Sequence, residues 1–260
     1  MPLIEIADLQ ISFTSRGGSL VQAVDTIDLT VEKGEILVIV GPSGCGKSTL
    51  LSAISGLIPF SGSIRIDGVP TTPQSRQFGY MFQESSLLPW RTAERNAQVG
   101  LDIRGVDRKT AAERVDALMD RVGLSAFKHS YPSQLSGGMK KRLSFVQVMA
   151  YDPAILLMDE PFGALDFQTR LQVESDFLRE VERARKTVIF VTHDIDEAIE
   201  LGDRIVVMTG RPGRIKNQYK VHLSRPRVLV ENRGTPEFVA LRQGIWDDLK
   251  QDMNSPQTAH

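Results

Sequence analysis

Gly41, Pro42, Ser43, Gly44, Cys45, Gly46, Lys47 and Ser48 spell G-x-x-x-x-G-K-S, with Thr49 following. Glycines at these places let successive backbone N–H groups turn toward one anion without a Cβ in the way. An apolar run, Ile36–Val40, precedes the loop and an apolar-periodic helix follows it from Lys47 to about Ser55. That context makes the loop a cradle for nucleotide phosphates, strengthened by the partial positive charge of the helix start. Lys47 would meet the β- and γ-phosphates, and the Ser48 hydroxyl would ligate Mg²⁺.

Two further segments complete the chemistry. Ile155-Leu-Leu-Met-Asp159-Glu160 is an apolar strand ending in two carboxylates. Asp159 suits the outer shell of the magnesium ion, and Glu160 suits the polarisation of an attacking water, because γ-phosphate hydrolysis needs a positioned nucleophile more than covalent help. Leu135-Ser136-Gly137-Gly138-Met139 opens a helix running to about Ala150. N–H groups, a serine hydroxyl and the helix dipole make this a second anion site. Two phosphate sites on separate lobes of one chain are easily explained if the second serves a neighbouring subunit.

These groups need a frame. Alternating segments around Ile4–Phe13 and Val21–Val31 read as strands, and Gly62–Ile66 and Phe78–Phe82 as shorter ones. The texture from Glu84 to about Tyr151 is helical, with Ala111, Val115, Leu118, Met119 and Val122 on one face and Gly123 as the stop. Strand texture returns at Ile155–Met158, Val188–Val191 and Arg204–Met208, between helices at about 167–185 and 194–201. Strand–helix alternation predicts a parallel, buried sheet interrupted by a helical insert, hence two lobes. Basic turns at Arg211-Pro212-Gly213-Arg214 and Arg225-Pro226-Arg227 follow, and no catalytic role is assigned to the first. A last helix has Thr235 as N-cap and Pro236 at its first position, with Phe238, Leu241, Ile245 and Leu249 on its apolar face and a frayed tail expected at 254–260.

With 41% hydrophobic residues among 260, the chain can fill a real core, which excludes wholesale disorder. The 31 basic and 32 acidic residues leave a net charge of −1, which argues against a nucleic-acid clamp. No apolar run exceeds five residues, far short of the roughly twenty a membrane-spanning helix needs. The start shows no secretory pattern, and the single cysteine, Cys45, fits a reducing compartment.

Taken in order, the motifs resemble those of ATP-binding cassette (ABC) nucleotide-binding subunits over essentially residues 3–210. Phe13 stands near the base-stacking position, Gly41–Ser48 is Walker A and Gln83 the Q-loop glutamine. Leu135–Gly138 is the LSGG signature, Ile155–Asp159 Walker B, Ala164-Leu165-Asp166 the D-loop and His193 the switch histidine. The resemblance implies an α/β P-loop fold with a mainly parallel RecA-like core, an N-terminal antiparallel β-subdomain and an α-helical insert. It divides the chain into 1–83 (β-subdomain and first part of the core), 84–151 (helical signature subdomain), 152–210 (second part of the core) and 211–260 (C-terminal extension).

It further implies a head-to-tail dimer with two ATP between the Walker A of one chain and the signature of the other. Gln83 would serve the magnesium ion and lid coupling, Asp166 communication across the dimer, and His193, after a strand expected beside Walker B, the γ-phosphate. Ser136, Gly137 and Gly138 would reach the neighbour's ATP.

A finer resemblance, to the nitrate/sulfonate/taurine branch of bacterial importers, rests on Ser86-Leu-Leu-Pro-Trp90-Arg91-Thr92, Phe162-Gly-Ala-Leu-Asp166, Thr192-His-Asp-Ile-Asp-Glu-Ala198 and Arg211-Pro-Gly-Arg-Ile215. It implies separate transmembrane permease subunits, a periplasmic or extracellular solute-binding protein, no nucleic acid, and a place at the cytoplasmic face of the inner (plasma) membrane. Trp90 is either an aromatic anchor for the permease or a core tryptophan. The chain departs from most relatives after the signature, where Met139-Lys140-Lys141-Arg142 replaces a glutamine-rich start. Rival readings are a soluble ABC ATPase of DNA repair or translation, which commonly has two cassettes or a long coiled-coil insertion, an exporter subunit, and a P-loop kinase.

Overall fold

Alternation makes the first two strands, β1 (Ile4–Thr14) and β2 (Leu20–Val31), which bury Ile4, Ile6, Leu9 and Ile11 on one and Ile27, Leu29 and Val31 on the other. They pair antiparallel, with Ile4 opposite Val31 and Phe13 opposite Val21. β3 (Ile36–Val40) is apolar and buried throughout, as a central parallel strand must be. It leads through the glycine-rich loop into α1 (Lys47–Ile54). β4 (Ser61–Ile66) pairs with β1, and β5 (Val69–Pro70) with β4, which gives the antiparallel order β2-β1-β4-β5.

In this computed structural model, residues 2–15, 17–72, 77–225, 227 and 229–253 are described. The tail at 254–260 and Pro226 of the second basic turn lie outside the described residues. After β5 come β6 (Phe78–Met81), α2 (Ala93–Ile103), α3 (Arg108–Arg121), α4 (Gly137–Met149), β7 (Ile155–Asp159) and α5 (Phe167–Ala184). The chain then forms β8 (Thr187–Thr192), α6 (Ile195–Leu201), β9 (Arg204–Met208), β10 (Ile215–Lys220) and α7 (Pro236–Met253).

The chain divides into two compact units, residues 1–76 with 186–260, and residues 77–185. In the first, β3 lies between β8 and β9 and is parallel to both, with Val40 level with Thr192 on one side and Val207 on the other. β10 is antiparallel to β9. The core of this unit is the apolar filling of β3, β8 and β9, each fully buried Val or Ile contributing about 1.5–3 kcal/mol. In the second unit β6 and β7 pair in parallel, Met81 level with Met158.

Side chains placed at the helix starts explain where the helices begin. Thr92, Asp107, Ser136, Asp166 and Asp194 each accept an N–H from the first turn of α2, α3, α4, α5 and α6 in that order. α3 stops at Gly123, which takes φ +70. The Thr235 hydroxyl accepts from Phe238 N at 3.3 Å, and Phe238, Ile245 and Leu249 are buried while Leu241 is half-buried. β10 is a strand where the sequence offered only turns, because Ile-Lys-Asn-Gln-Tyr-Lys lacks alternation and gains its order by pairing with β9.

Candidate functional site

In the first unit the loop 41–46 joins β3 to α1. Gly46 precedes α1 with φ +105, and a Cβ there would meet Ala23 O and Val24 Cγ2 at 2.9 Å each. Only glycine fits that combination of backbone and space. Among the described residues no side chain caps α1, so its first N–H groups keep the arrangement that suits an anion. Lys47 is 6% exposed, and its ammonium donates to Gly41 O at 2.7 Å and Pro42 O at 3.0 Å. The charge is thereby held across the loop's mouth. Pro42 and Thr49 are half-buried, Ser43, Gly44 and Ser48 exposed, and Cys45 buried. A Cβ on Gly41 would come 2.9 Å from Cys45 Sγ, so the thiol fills the loop's base.

His193 and Phe13 belong to the same unit. The parallel register of Val40 with Thr192 sets His193, one residue on, at the same sheet end as Gly41. Its side chain is exposed, and it lines an open pocket with Asp194, Val239, Arg242 and Trp246. α7 therefore lies beside the segment that carries His193. Phe13 is 44% exposed on β1, which removes the reading of a core aromatic.

In the second unit the register of Met81 with Met158 brings Gln83 and Glu160, each two residues further, to one end of β6 and β7. Asp159 closes β7 and is half-buried, as is Glu160. Glu160 takes φ +43, a left-handed conformation that costs a non-glycine residue about 1–2 kcal/mol. The following Phe162 holds this bend in place. It is buried and meets Phe177 of α5 edge-on at 5.7 Å, and Phe177 meets Phe145 of α4 at 5.4 Å.

The departure after the signature has a structural partner. Lys141 on α4 is 5% exposed, and its ammonium donates to the Gln83 main-chain carbonyl. Burial pushes the Lys141 pKa down, while the Glu84 charge opposes that shift. Arg142 pairs with Asp176 of α5 at 2.9 Å. Burial raises the Asp176 carboxyl, against the charges of Arg142 and Arg179.

The starts of α4 and α5 are side by side within this unit. A Cβ on Gly138 would meet Thr169 Cγ2 at 2.4 Å, and one on Gly137 would touch Leu165 Cδ2 at 3.4 Å. Ser136 caps α4 by accepting from Met139 N at 3.3 Å, and Asp166 caps α5 by accepting from Thr169 N at 3.1 Å. Hydrogen bonds from the Thr169 hydroxyl and N–H hold the Asp166 carboxyl below the usual range. Capping uses one acceptor lone pair of Ser136, so its O–H remains a separate donor capacity.

Trp90 is 72% exposed, which overturns the core alternative. Its loop is built by buried Asn96, whose side-chain amide accepts from Leu88 N at 2.7 Å and donates to the carbonyls of Leu88, Arg91 and Thr92. Sequence reasoning missed Asn96 and Lys141. A polar residue on the inner face of α2 was the signal for the first, and the basic run Lys140-Lys141-Arg142 directly after the signature was the signal for the second.

The Ser48 hydroxyl in the first unit, and the Gln83 amide and Asp159 carboxylate in the second, are each hard oxygen donors of the kind Mg²⁺ takes. Among the described residues no helix is long and apolar enough to cross a membrane.

A family model described as ABC transporter matches residues 24–163. An uncharacterized ABC transporter ATP-binding protein of Methanocaldococcus jannaschii is 44% identical over 237 residues, 91% of this chain and 87% of the relative. The aliphatic sulfonates import ATP-binding protein SsuB of Bacillus subtilis is 41% identical over 229 residues, 87% of each chain. Among solved structures the fold is similar to a bacterial ABC transporter cassette in dimeric form, with a TM-score of 0.75, 28% identity, and coverage of 85% of this chain and 100% of that one. A dimeric post-hydrolysis cassette bound to ADP and Pi matches with a TM-score of 0.74 and the same 28% identity and coverage of 85% and 100%.

Proposed function

The chain belongs to the ABC transporter family as an ATP-binding subunit that hydrolyses ATP, and from that premise we propose that it energises import of a small solute of the nitrate, sulfonate and taurine class. The observation that carries this reading is the near-full-length likeness to a sulfonate import subunit. Separate permease subunits would span the membrane, with this chain peripheral on its cytoplasmic face. A periplasmic or extracellular solute-binding protein would choose the solute.

The site roles follow the chemistry of each group. The loop Gly41–Gly46 with Lys47, Ser48 and Thr49 holds the triphosphate, and Phe13 stacks on the base. Ser48, Gln83 and Asp159 would hold Mg²⁺, which would supply charge neutralisation for the triphosphate. Glu160 orients and polarises the water, and His193 meets the γ-phosphate. Ser136, Gly137 and Gly138 serve the ATP of a second copy, and Asp166 communicates between the two copies. The dimeric form of the similar cassettes supports the pairing of two copies.

Purifying the chain from its native membranes tests the assignment. A co-purifying multi-span permease, and ATP-dependent uptake of a sulfonate, taurine or nitrate by vesicles holding the complex, is the expected result. Lys47→Ala should abolish that uptake. A chain that co-purifies with no membrane protein would reject the importer reading, and uptake restricted to a chemically unrelated solute would reject the solute class.

A further inference from the structure

The turn at Arg211–Arg214, left without a role by the sequence, is built into the base of the phosphate loop. Arg211 Nη2 donates to Gly44 O at 3.3 Å. Two residues on, a Cβ on Gly213 would lie 2.1 Å from Cys45 O but 3.3 Å from Cys45 C. That difference of about one C=O bond length means the Cys45 carbonyl aims straight at Gly213. Successive carbonyls of the loop, on Gly44 and Cys45, thus face the turn. In a trans peptide the N–H of the next residue points the opposite way. The N–H groups of Cys45 and Gly46 are therefore turned away from Arg211–Arg214, and that of Cys45 closes a tight turn onto Pro42 O at 3.3 Å.

The turn is itself anchored to β2. Gly213 N donates to Ala23 O and Gly213 O accepts from Asp25 N, both at 2.9 Å. Arg214 pairs with Asp25 through Nε at 2.9 Å and also through Nη2. The Thr209 hydroxyl accepts from Arg214 N at 3.0 Å and lies 3.2 Å from Pro212 O. Ala23 and Val24, held by Gly213 on one side, are the same residues that close the space around Gly46.

We propose that the turn Arg211–Arg214 is a brace for the phosphate loop, and that Arg211 is a positioning residue which sets nucleotide affinity by fixing the Gly44 peptide without touching the nucleotide. The guanidinium reaches the carbonyl side of the loop, so it acts on the loop's donors from behind. This rests on the reading of Gly41–Thr49 as the ATP site.

The test compares Arg211→Ala and Arg211→Lys with the unaltered chain, reading KM for ATP, kcat, and the thermal midpoint without nucleotide. Arg211→Ala removes one charge-assisted hydrogen bond, so KM should rise about tenfold with kcat within about twofold and the midpoint unchanged. Arg211→Lys, which can still donate to Gly44 O, should recover most of the affinity. Gly213→Ala should weaken ATP binding further, and should it fail to fold, the Arg211 pair decides alone. An unchanged KM in Arg211→Ala overturns the brace, as does a raised KM that tracks a lowered midpoint and is not rescued by lysine. Lys47→Ala serves as the control for the site: if it binds ATP as well as the unaltered chain does, the reading of Gly41–Thr49 fails, whatever Arg211 shows.

Discussion

The ammonium of Lys141, on the helix that opens with Ser136, donates to the main-chain carbonyl of Gln83, 58 residues earlier in the chain. One side chain thus ties the signature helix α4 to the loop that follows β6. A buried ammonium is costly unless paired, so the carbonyl and the nearby Glu84 charge are what allow a lysine at this position.

Replacing Lys141 by methionine should therefore change global stability by no more than about 1 kcal/mol, because relief of charge burial offsets the lost hydrogen bond. The loop after β6 should loosen instead. Hydrogen exchange across residues 82–92 is the measurement, and faster exchange there with α4 unchanged is the expected outcome. Equal protection in both proteins would show that the Lys141 contact holds nothing in place.

The sequence made the phosphate loop legible because its chemistry is local. Gly41 to Ser48 are contiguous, and a buried strand and a helix flank them in the order the loop requires. The Thr235 cap was legible for the same reason, whereas the capping of α4 by Ser136 and of α5 by Asp166 was not read from the sequence. The Lys141–Gln83 tie depends on α4 packing against β6, and the approach of Gly213 to Cys45 on parallel pairing of β3 with β9, neither of which a local pattern encodes. β10 was missed because Ile-Lys-Asn-Gln-Tyr-Lys has no apolar–polar alternation and so carries no period-two signal. Trp90 read as a docking anchor with a core tryptophan as the alternative, and its exposure excludes the core.

That exposure gives a second prediction. Trp90→Ala should leave folding within about 0.5 kcal/mol, since an exposed ring adds little to the core. Permease retention in a pull-down should fall sharply, because losing an aromatic anchor at an interface costs ~2 kcal/mol or more. ATP affinity should be unchanged, as Trp90 is not among the phosphate ligands. Full retention of the permease would remove its docking role.

Tyr219 supplies a pH test of the C-terminal extension. Its hydroxyl donates to Asp248 Oδ2 of α7 at 2.6 Å. Burial first, and the Asp248 bond and charge next, push the phenol from 10.0 up to about 12. The folded state holds this proton more tightly than the unfolded one, so the contribution is fully present below pH 10 and is lost as pH rises toward about 12. Burial raises Tyr151 as well, so ultraviolet titration should show two of the 4 tyrosines ionising late, and Tyr219→Phe should delete one of those late steps. A late phase that Tyr219→Phe leaves unchanged would show that the β10–α7 contact is open in solution.

Glu160→Gln should bind MgATP, hydrolyse it very slowly and accumulate as an ATP-bound dimer. The substitution keeps the size of the side chain and one accepting oxygen but removes the charge that polarises water. The left-handed bend at residue 160 and the Phe162 anchor behind it should survive, since neither depends on the carboxylate. Binding should persist because, in the proposed ATP site, Lys47, Ser48 and the loop amides hold the triphosphate without Glu160. Closure should persist as well if, as proposed, Ser136 and Gly138 of the second chain approach the γ-phosphate. Adding Ser136→Arg should break the dimer, placing a long side chain where the start of α4 must come up to phosphate and removing the cap that Met139 N now uses. Size exclusion in saturating MgATP distinguishes the outcomes. A Glu160→Gln protein that remains monomeric, alone and with its permease, would mean that the two phosphate sites of this chain do not meet across a pair of subunits.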